Sequence, residues 1–367
     1  MWLALLLLCA GALLLAAGYG GLRRLIKRRE QRRRQLPRPG GPAWLGESAE
    51  AVEAVEAGAA ISGSAPPAAA HLPQGRGFER ETLGPYRIEH VLGRGSMGTV
   101  YLARDARRAR VVAIKTMALG REFDPADLVE ARERFFREAA TAARLRHRDI
   151  VEVFDAGEDQ GLAYIAMEFV AGHDLLRYTR AEQLLPVPVV LRTLARVALA
   201  LAHAHAQGVV HRDVKPANVM FEPVSHTVKV TDFGIASLAD AFSTRTGLVL
   251  GTPSYMSPEQ LTGGRVDGRS DLYALGVMLF QLVTGALPHR SESMAGLLHQ
   301  IVNAVAPDVR TLRADLPAAL ANVLKVALEK RPELRYGDAT QFAADLVAIA
   351  DTLDAQANGA ASATGAR

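Results

Sequence analysis

Three short runs of β-branched and aromatic residues follow one another between Tyr86 and Lys115: Tyr86, Ile88, Val91 and Leu92, then Val100-Tyr101-Leu102, then Val111-Val112-Ala113-Ile114. Strands in such close succession read as an antiparallel sheet. The first link is Gly93-Arg94-Gly95-Ser96-Met97-Gly98-Thr99, a glycine-rich loop whose missing side chains let backbone amides approach a phosphate. A plain glycine hairpin explains these residues about equally well. A dinucleotide-binding turn fits poorly, because that turn opens a helix and this one returns into a strand. Lys115 ends the buried run Val112-Ala113-Ile114 in a chain whose cations are mostly arginine, and a lone cation at a strand end wants an anionic partner. Two are at hand: nucleotide phosphates, and a carboxylate on the next helix, expected over residues 128–145. There Phe135, Ala139 and Ala142 recur at helical spacing and Glu138 lies on or beside the apolar face.

The middle of the chain carries a denser pattern, His211-Arg212-Asp213-Val214-Lys215-Pro216-Ala217-Asn218. It follows an Ala/Leu helix expected over residues 189–207 and read as fully core-facing. Pro216 and its small neighbours make a rigid loop. A strand over residues 227–230 then leads into Asp232-Phe233-Gly234, a second acid beside a permissive glycine. Asp213, Asp232 and Asn218 are the groups needed to position a hydroxyl and to hold hard divalent ions through oxygen. Paired carboxylates alone would admit a glycoside hydrolase, but that reading leaves Gly93 to Lys115 without a purpose.

Flanking this core are segments of different texture. Residues 2–22 are 21 in a row without a charged side chain. At 1.5 Å per residue, a helix of that length reaches about 30 Å, enough to cross a bilayer. Arg23, Arg24, Lys27, Arg28, Arg29, Arg32, Arg33 and Arg34 come immediately after it, so the positive-inside rule places the following chain in the cytoplasm. A cleaved signal peptide would show the opposite order of charge. Residues 22–38 hold a local charge of +8 in a chain whose net charge is +4, which leaves about −4 for the remainder. The basicity is therefore local, and no nucleic-acid partner is expected. Cys9 is the one cysteine, which excludes an intrachain disulfide and a cysteine-based zinc cluster. The Ala-, Gly-, Pro- and Glu-rich stretch up to residue 84 reads as a flexible tether, with at most a transient helix over 47–60, and the Ala/Gly/Ser-rich tail after Asp351 as disordered.

With these motifs in order, residues 86 to about 350 resemble the eukaryotic-like (Hanks-type) serine/threonine protein kinases of bacteria. The resemblance implies an α+β, bilobal fold, a small β-rich N-lobe and a larger helical C-lobe, here with one N-terminal transmembrane helix. The expected boundaries are 1–22 for the anchor, 23–84 for the basic segment and linker, 85–350 for the catalytic domain and 351–367 for the tail. It also implies ATP with Mg²⁺ or Mn²⁺ as cofactors and proteins as substrates. Gly93, Gly95, Gly98 and Val100 would cover the nucleotide, Lys115 would bind its α- and β-phosphates and pair with Glu138, and the backbone of Glu168 and Val170, just after Met167, would bind adenine. Asp213 would be the catalytic base beside Lys215, with Asn218 and Asp232 on the metal.

The same resemblance makes Gly251 to Glu259 a substrate-docking segment, with Thr252 and Lys215 favouring serine or threonine as acceptor. It makes Asp271 a support of the catalytic loop and Arg335 the partner of Glu259. Thr244 and Thr246 near Arg245 are expected regulatory phosphosites, modified in trans within a homodimer and able to pair with Arg212. The expected location is the inner cell membrane, crossed once, with the catalytic domain in the cytoplasm. All the catalytic residues are retained, which argues against a silent, binding-only relative.

Overall fold

The expected strand runs pair with their sequence neighbours. The computed structural model describes residues 81–95, 98–233 and 253–365. In it β1 (Thr82–Leu83), β2 (Tyr86–Gly95), β3 (Gly98–Asp105), β4 (Arg110–Met117), β5 (Val153–Asp159) and β6 (Leu162–Glu168) form one antiparallel sheet in the order β1-β2-β3-β4-β6-β5. Two helices follow β4, the short α1 (Leu119–Glu122) and α2 (Leu128–Ala142). Alternation along the strands divides the buried residues between the two faces. Tyr86, Ile88, Val112, Ile114 and Tyr164 pack together on one side, and Met117, Ala163 and Ile165 meet Phe135 and Ala139 of α2 on the other. Each such large apolar side chain contributes about 1.5–3 kcal/mol when fully buried.

The second lobe is helical around α5 (Gly268–Thr284), whose apolar residues are buried on every side, as expected for a helix hydrophobic all round. Against its core pack α3 (Val187–Ala206), α7 (Ala318–Ala327) and α8 (Ala339–Gly365), while α4 (Pro258–Thr262) and α6 (Met294–Asn303) lie between them in sequence. A small sheet, β7 (His173–Asp174), β8 (Val219–Glu222) and β9 (Thr227–Val230), carries the central motifs at its ends. Ser257 opens α4 with a capping box, its hydroxyl accepting from the Gln260 amide while the Gln260 side chain accepts from the Ser257 amide.

Several expectations need correction. α2 ends at Ala142, three residues before the expected end, in turns that lead to Ile150. α3 is not wholly core-facing: Arg192 and Leu199 are exposed and Arg196 is half-buried on its outer stripe, because only one side meets α5 and α8. The tail expected to be disordered after Asp351 is helical through Gly365. Its Ala-rich sequence favours helix, and Arg192 reaches Asp351 and Asp354 at 2.8 and 2.6 Å. α3 is also the described helix long and apolar enough to cross a membrane, yet 56% of its apolar window is buried inside the lobe, which makes it a core helix. Residues 1–80, with the expected anchor, basic segment and most of the linker, residues 96–97, residues 234–252 with Thr244 and Thr246, and residues 366–367 lie outside the described residues. The end of the expected flexible linker is corrected: Thr82–Leu83 pair with β2 and Leu83 is buried, so the sheet starts before the expected boundary at residue 85.

Candidate functional site

The motif between His211 and Asn218 is a loop held from behind. The carboxylate of Asp271, 1% exposed on α5, accepts the backbone N–H of His211 on Oδ2 and that of Arg212 on Oδ1, each at 2.8 Å, and meets His205 Nε2 at 2.7 Å. This grip holds Arg212 at a φ of +68°, a left-handed conformation that costs a non-glycine residue about 1 kcal/mol or more. His211 is fully buried. Its Nδ1 accepts the Asp213 amide at 3.2 Å, its Nε2 donates to the Thr231 carbonyl at 2.9 Å, and its ring lies 4.6 Å from that of Phe233. One imidazole thus spans the two acidic motifs. The Thr231 amide completes the junction by donating to Asn218 O at 3.0 Å.

On this frame Asp213 faces outward between two donors. Lys215 Nζ lies 2.7 Å from its Oδ2, and Asn218 Nδ2 donates to the same oxygen at 2.9 Å and to the Asp213 carbonyl at 2.8 Å. Asn218 is buried, in the short turn that begins at Pro216, whereas the Asp213 side chain is 34% exposed and reachable by a solute.

The first lobe contributes Lys115, whose ammonium lies 2.8 Å from Asp232 Oδ2. Burial works against the charge of Asp232, but Lys115, with His211 and Lys215 behind it, holds its carboxyl below the usual carboxylate range. Asp232 also takes a left-handed φ of +66°, and its Oδ1 is buried with no hydrogen-bond partner among the described residues. The expected Lys115–Glu138 ion pair is not formed in this structure: Glu138 lies 3.8 Å from Arg134 one turn earlier on α2, and Lys115 meets Asp232 instead. The sequence offered nucleotide phosphates and Glu138 as partners for Lys115; the one that packing supplies, Asp232, lies 117 residues away and was neither of them.

Above this junction Gly93 and Gly95 sit on the β2–β3 hairpin facing open space, where a Cβ would meet nothing closer than 3.9 Å. Gly98 is different: at φ +147° a Cβ there would stand 1.7 Å from the Thr116 carbonyl, so only glycine lets the hairpin lie this close to β4. Val100 on β3, Ala113 on β4, Met167 at the end of β6 and Val170 beyond it join Val151 in one apolar cluster. Glu168 follows Met167, and its amide donates to Glu152 O at 2.8 Å. The structure thus places Lys115, Asp232, Asn218, Asp213 and Lys215 in one connected network and lines its neighbourhood with Val100 and Val170. The roles of His211, His205 and Lys229 went unassigned from sequence, because a buried histidine or a strand lysine has no distinguishing spacing.

Beyond the cleft, Asp271 and Arg335 are not solvated charges. Arg335, 6% exposed, donates to Glu259 Oε1 at 2.7 Å and Oε2 at 2.8 Å. Gln260 beside Glu259 donates to Arg212 O at 2.8 Å, which links this segment to the loop that bears Asp213.

Comparison with known proteins agrees with this geometry. Residues 86–347 match the model described as "Protein kinase domain". The chain is 41% identical over 275 residues to serine/threonine-protein kinase pkn3 of Myxococcus xanthus, covering 72% of this chain and 50% of that protein. It is 39% identical over 264 residues to serine/threonine-protein kinase PrkC of Bacillus subtilis, covering 72% and 40%. With serine/threonine-protein kinase PknB of Mycobacterium tuberculosis the identity is 41% over 275 residues, covering 72% and 42%. The chain spans half or less of the length of these curated relatives.

Proposed function

The chain belongs to the protein kinase family, in the Hanks-type serine/threonine group of its bacterial relatives, and on that ground we propose that it transfers the γ-phosphoryl group of ATP to serine and threonine hydroxyls of proteins. The observation that carries this reading is the setting of Asp213, an accessible carboxylate held between Lys215 and Asn218 and joined through His211 and Thr231 to Asp232 and Lys115.

Asp213 accepts the proton of the acceptor hydroxyl as its oxygen bonds to the γ-phosphorus and the bond from that phosphorus to the departing ADP breaks. Lys215, already against Asp213, steadies the transferring group, and Lys115 turns from Asp232 toward the α- and β-phosphates. The apolar cluster of Val100, Ala113, Met167 and Val170 takes the adenine ring, with the backbone of Glu168 and Val170 reading its edge. The Gly93–Gly98 hairpin covers the phosphates.

The residues fit a metal. Among the described residues Asp232 keeps a buried Oδ1 with no hydrogen-bond partner, an oxygen donor of the kind hard divalent ions take. Such a site leaves coordination to be completed by phosphate oxygens and water, the habit of Mg²⁺. Asp232 and Asn218 would hold Mg²⁺ or Mn²⁺, which supplies neutralisation of phosphate charge.

The test is incorporation of γ-labelled phosphate into a generic protein substrate by the whole chain. Lys115→Met is expected to reduce the rate at least about a hundredfold, as loss of an electrostatic clamp does. A wild-type chain that binds nucleotide and transfers nothing would instead be a binding scaffold.

Residues 2–22 followed by the basic run support a single-pass anchor in the inner membrane with the catalytic domain in the cytoplasm. Thr244 and Thr246 are proposed as sites of autophosphorylation in trans between two copies. Arg212, exposed on the loop that bears Asp213, is the cation a phosphate there would meet. Mass spectrometry of the chain expressed with and without Asp213→Asn is expected to find phosphate on these threonines only in the active form. Equal phosphate on both would show that another enzyme installs it.

A further inference from the structure

Lys229 lies on β9, three residues before Asp232, and its side chain is 16% exposed. Its ammonium donates to Glu168 Oε2 at 2.7 Å and to the Ile150 carbonyl at 3.4 Å. The same Glu168 oxygen accepts the Glu152 amide at 3.2 Å. One cation therefore joins the loop after α2, the strand that leads into the metal-binding acid, and the residue directly after Met167. Among the described residues it is the cation within ion-pair distance of Glu168, since Arg146 is engaged by Glu152 at 2.5 Å. The junction between loop and strand does not depend on it. Val151 N–H donates to Val230 O at 2.9 Å and Val230 N–H donates to Asp149 O at 2.8 Å, and both backbone bonds survive a change at residue 229. What Lys229 restrains, together with the Glu152 amide, is the Glu168 side chain at the point where the chain leaves β6, and of these two partners Lys229 is the charged one.

We propose that Lys229 is a positioning residue for the nucleotide, holding Glu168 so that the backbone of residues 168–170 meets adenine in one orientation. The inference rests on the adenine placement given above and deepens it. Its effect falls on nucleotide binding, which ground and transition states share, and not on the transfer step at Asp213.

The experiment measures steady-state constants of the whole chain together with titration of a nonhydrolysable ATP analogue. Removing a partly buried charge-assisted hydrogen bond with Lys229→Met is expected to raise KM for ATP and Kd for the analogue about fivefold, with kcat within about twofold of the parent. Lys229→Arg restores most of the affinity. Glu168→Gln removes the same pair from its other end, and keeps the test decisive if Lys229→Met is poorly folded. The double variant is expected to be no worse than either single one, as for two partners of one contact. Lys325→Met, an exposed change on α7 with the same loss of charge, changes neither constant. Unchanged analogue affinity in both single variants, or strictly additive losses, overturns the proposal. An unaltered chain that binds no analogue overturns the kinase reading itself, so the two failures are told apart.

Discussion

Asp213→Asn is expected to lower kcat by about a thousandfold, the scale of losing a well-placed general base, while leaving KM for ATP within a few-fold of the parent. The substitution keeps the shape of the side chain and removes both its capacity to take a proton and its charge. The surrounding loop has independent support: Asn218 still donates to the carbonyl of residue 213 at 2.8 Å, and Asp271 still holds His211 and Arg212. The lost ion pair with Lys215 joins two side chains about a third exposed, so solvent screening limits its worth to roughly 1 kcal/mol or less. The expected signature is therefore a folded protein with an unchanged thermal midpoint and almost no transfer. Labelled-phosphate incorporation and calorimetry measure the two halves, and retention of even a tenth of the parent rate would remove Asp213 from the role of base.

Arg335→Met is expected to have the largest effect on stability, about 3–5 kcal/mol, because it leaves a buried carboxylate without its cation. Arg335 uses every N–H it has: Nε donates to Glu329 O at 2.7 Å, one terminal nitrogen to Glu259 Oε1 and to Arg269 O at 3.2 Å, and the other to Glu259 Oε2 and to Lys330 O at 2.9 Å. Its guanidinium also lies 4.9 Å from the centre of the Tyr273 ring. Burial pushes the Glu259 carboxyl up, but the Arg335 donors and the Ser270 hydroxyl outweigh it and hold the carboxyl below its ordinary value of 4.5. A depressed folded pKa stabilises the fold above the unfolded value, and that contribution fades as pH falls through the folded one. With Arg335 gone, burial dominates and Glu259 folds more readily as the neutral acid, so the variant's deficit grows as pH rises above 4.5. Urea unfolding is expected to show a wide gap between parent and variant at neutral pH and a narrower one near pH 4.5. A gap equally wide at both would mean that lost packing, not the stranded charge, sets the cost. Activity should fall with stability, since Glu259 adjoins Gln260, the residue tied to the carbonyl of Arg212.

Much of the proposed catalytic site was legible before any fold was known. Asp213, Lys215 and Asn218 lie within six residues of one another, and a tight loop around Pro216 leaves their side chains little choice but to converge, as the contacts at 2.7 and 2.9 Å bear out. The three strands from Tyr86 to Met117 were legible for the same local reason, since alternation and short links dictate antiparallel neighbours. Gly98 is a partial case. The motif marked all three glycines alike, and only the approach of the Thr116 carbonyl separates the position that sterically requires glycine from the two that face open space.

Chemistry carried by residues close along the chain was thus set by the order of amino acids, because covalent connection alone keeps those groups together. Pairings across long separations were decided by packing. Lys115 meets Asp232 and not Glu138, and Lys229 meets Glu168 across 61 residues, whereas the Arg335–Glu259 pair, across 76, was foreseen only through the family resemblance. In both interlobe pairs a largely buried charge takes the partner that the cores of the two lobes bring within about 3 Å, since an ion removed from water is tolerated only when a counter-charge or donor replaces its hydration. No local pattern encodes which one arrives. The helical course of residues 351–365 belongs to the local class instead: its Ala-rich sequence favours helix, and the exposed pairs of Arg192 with Asp351 and Asp354 add only at its start.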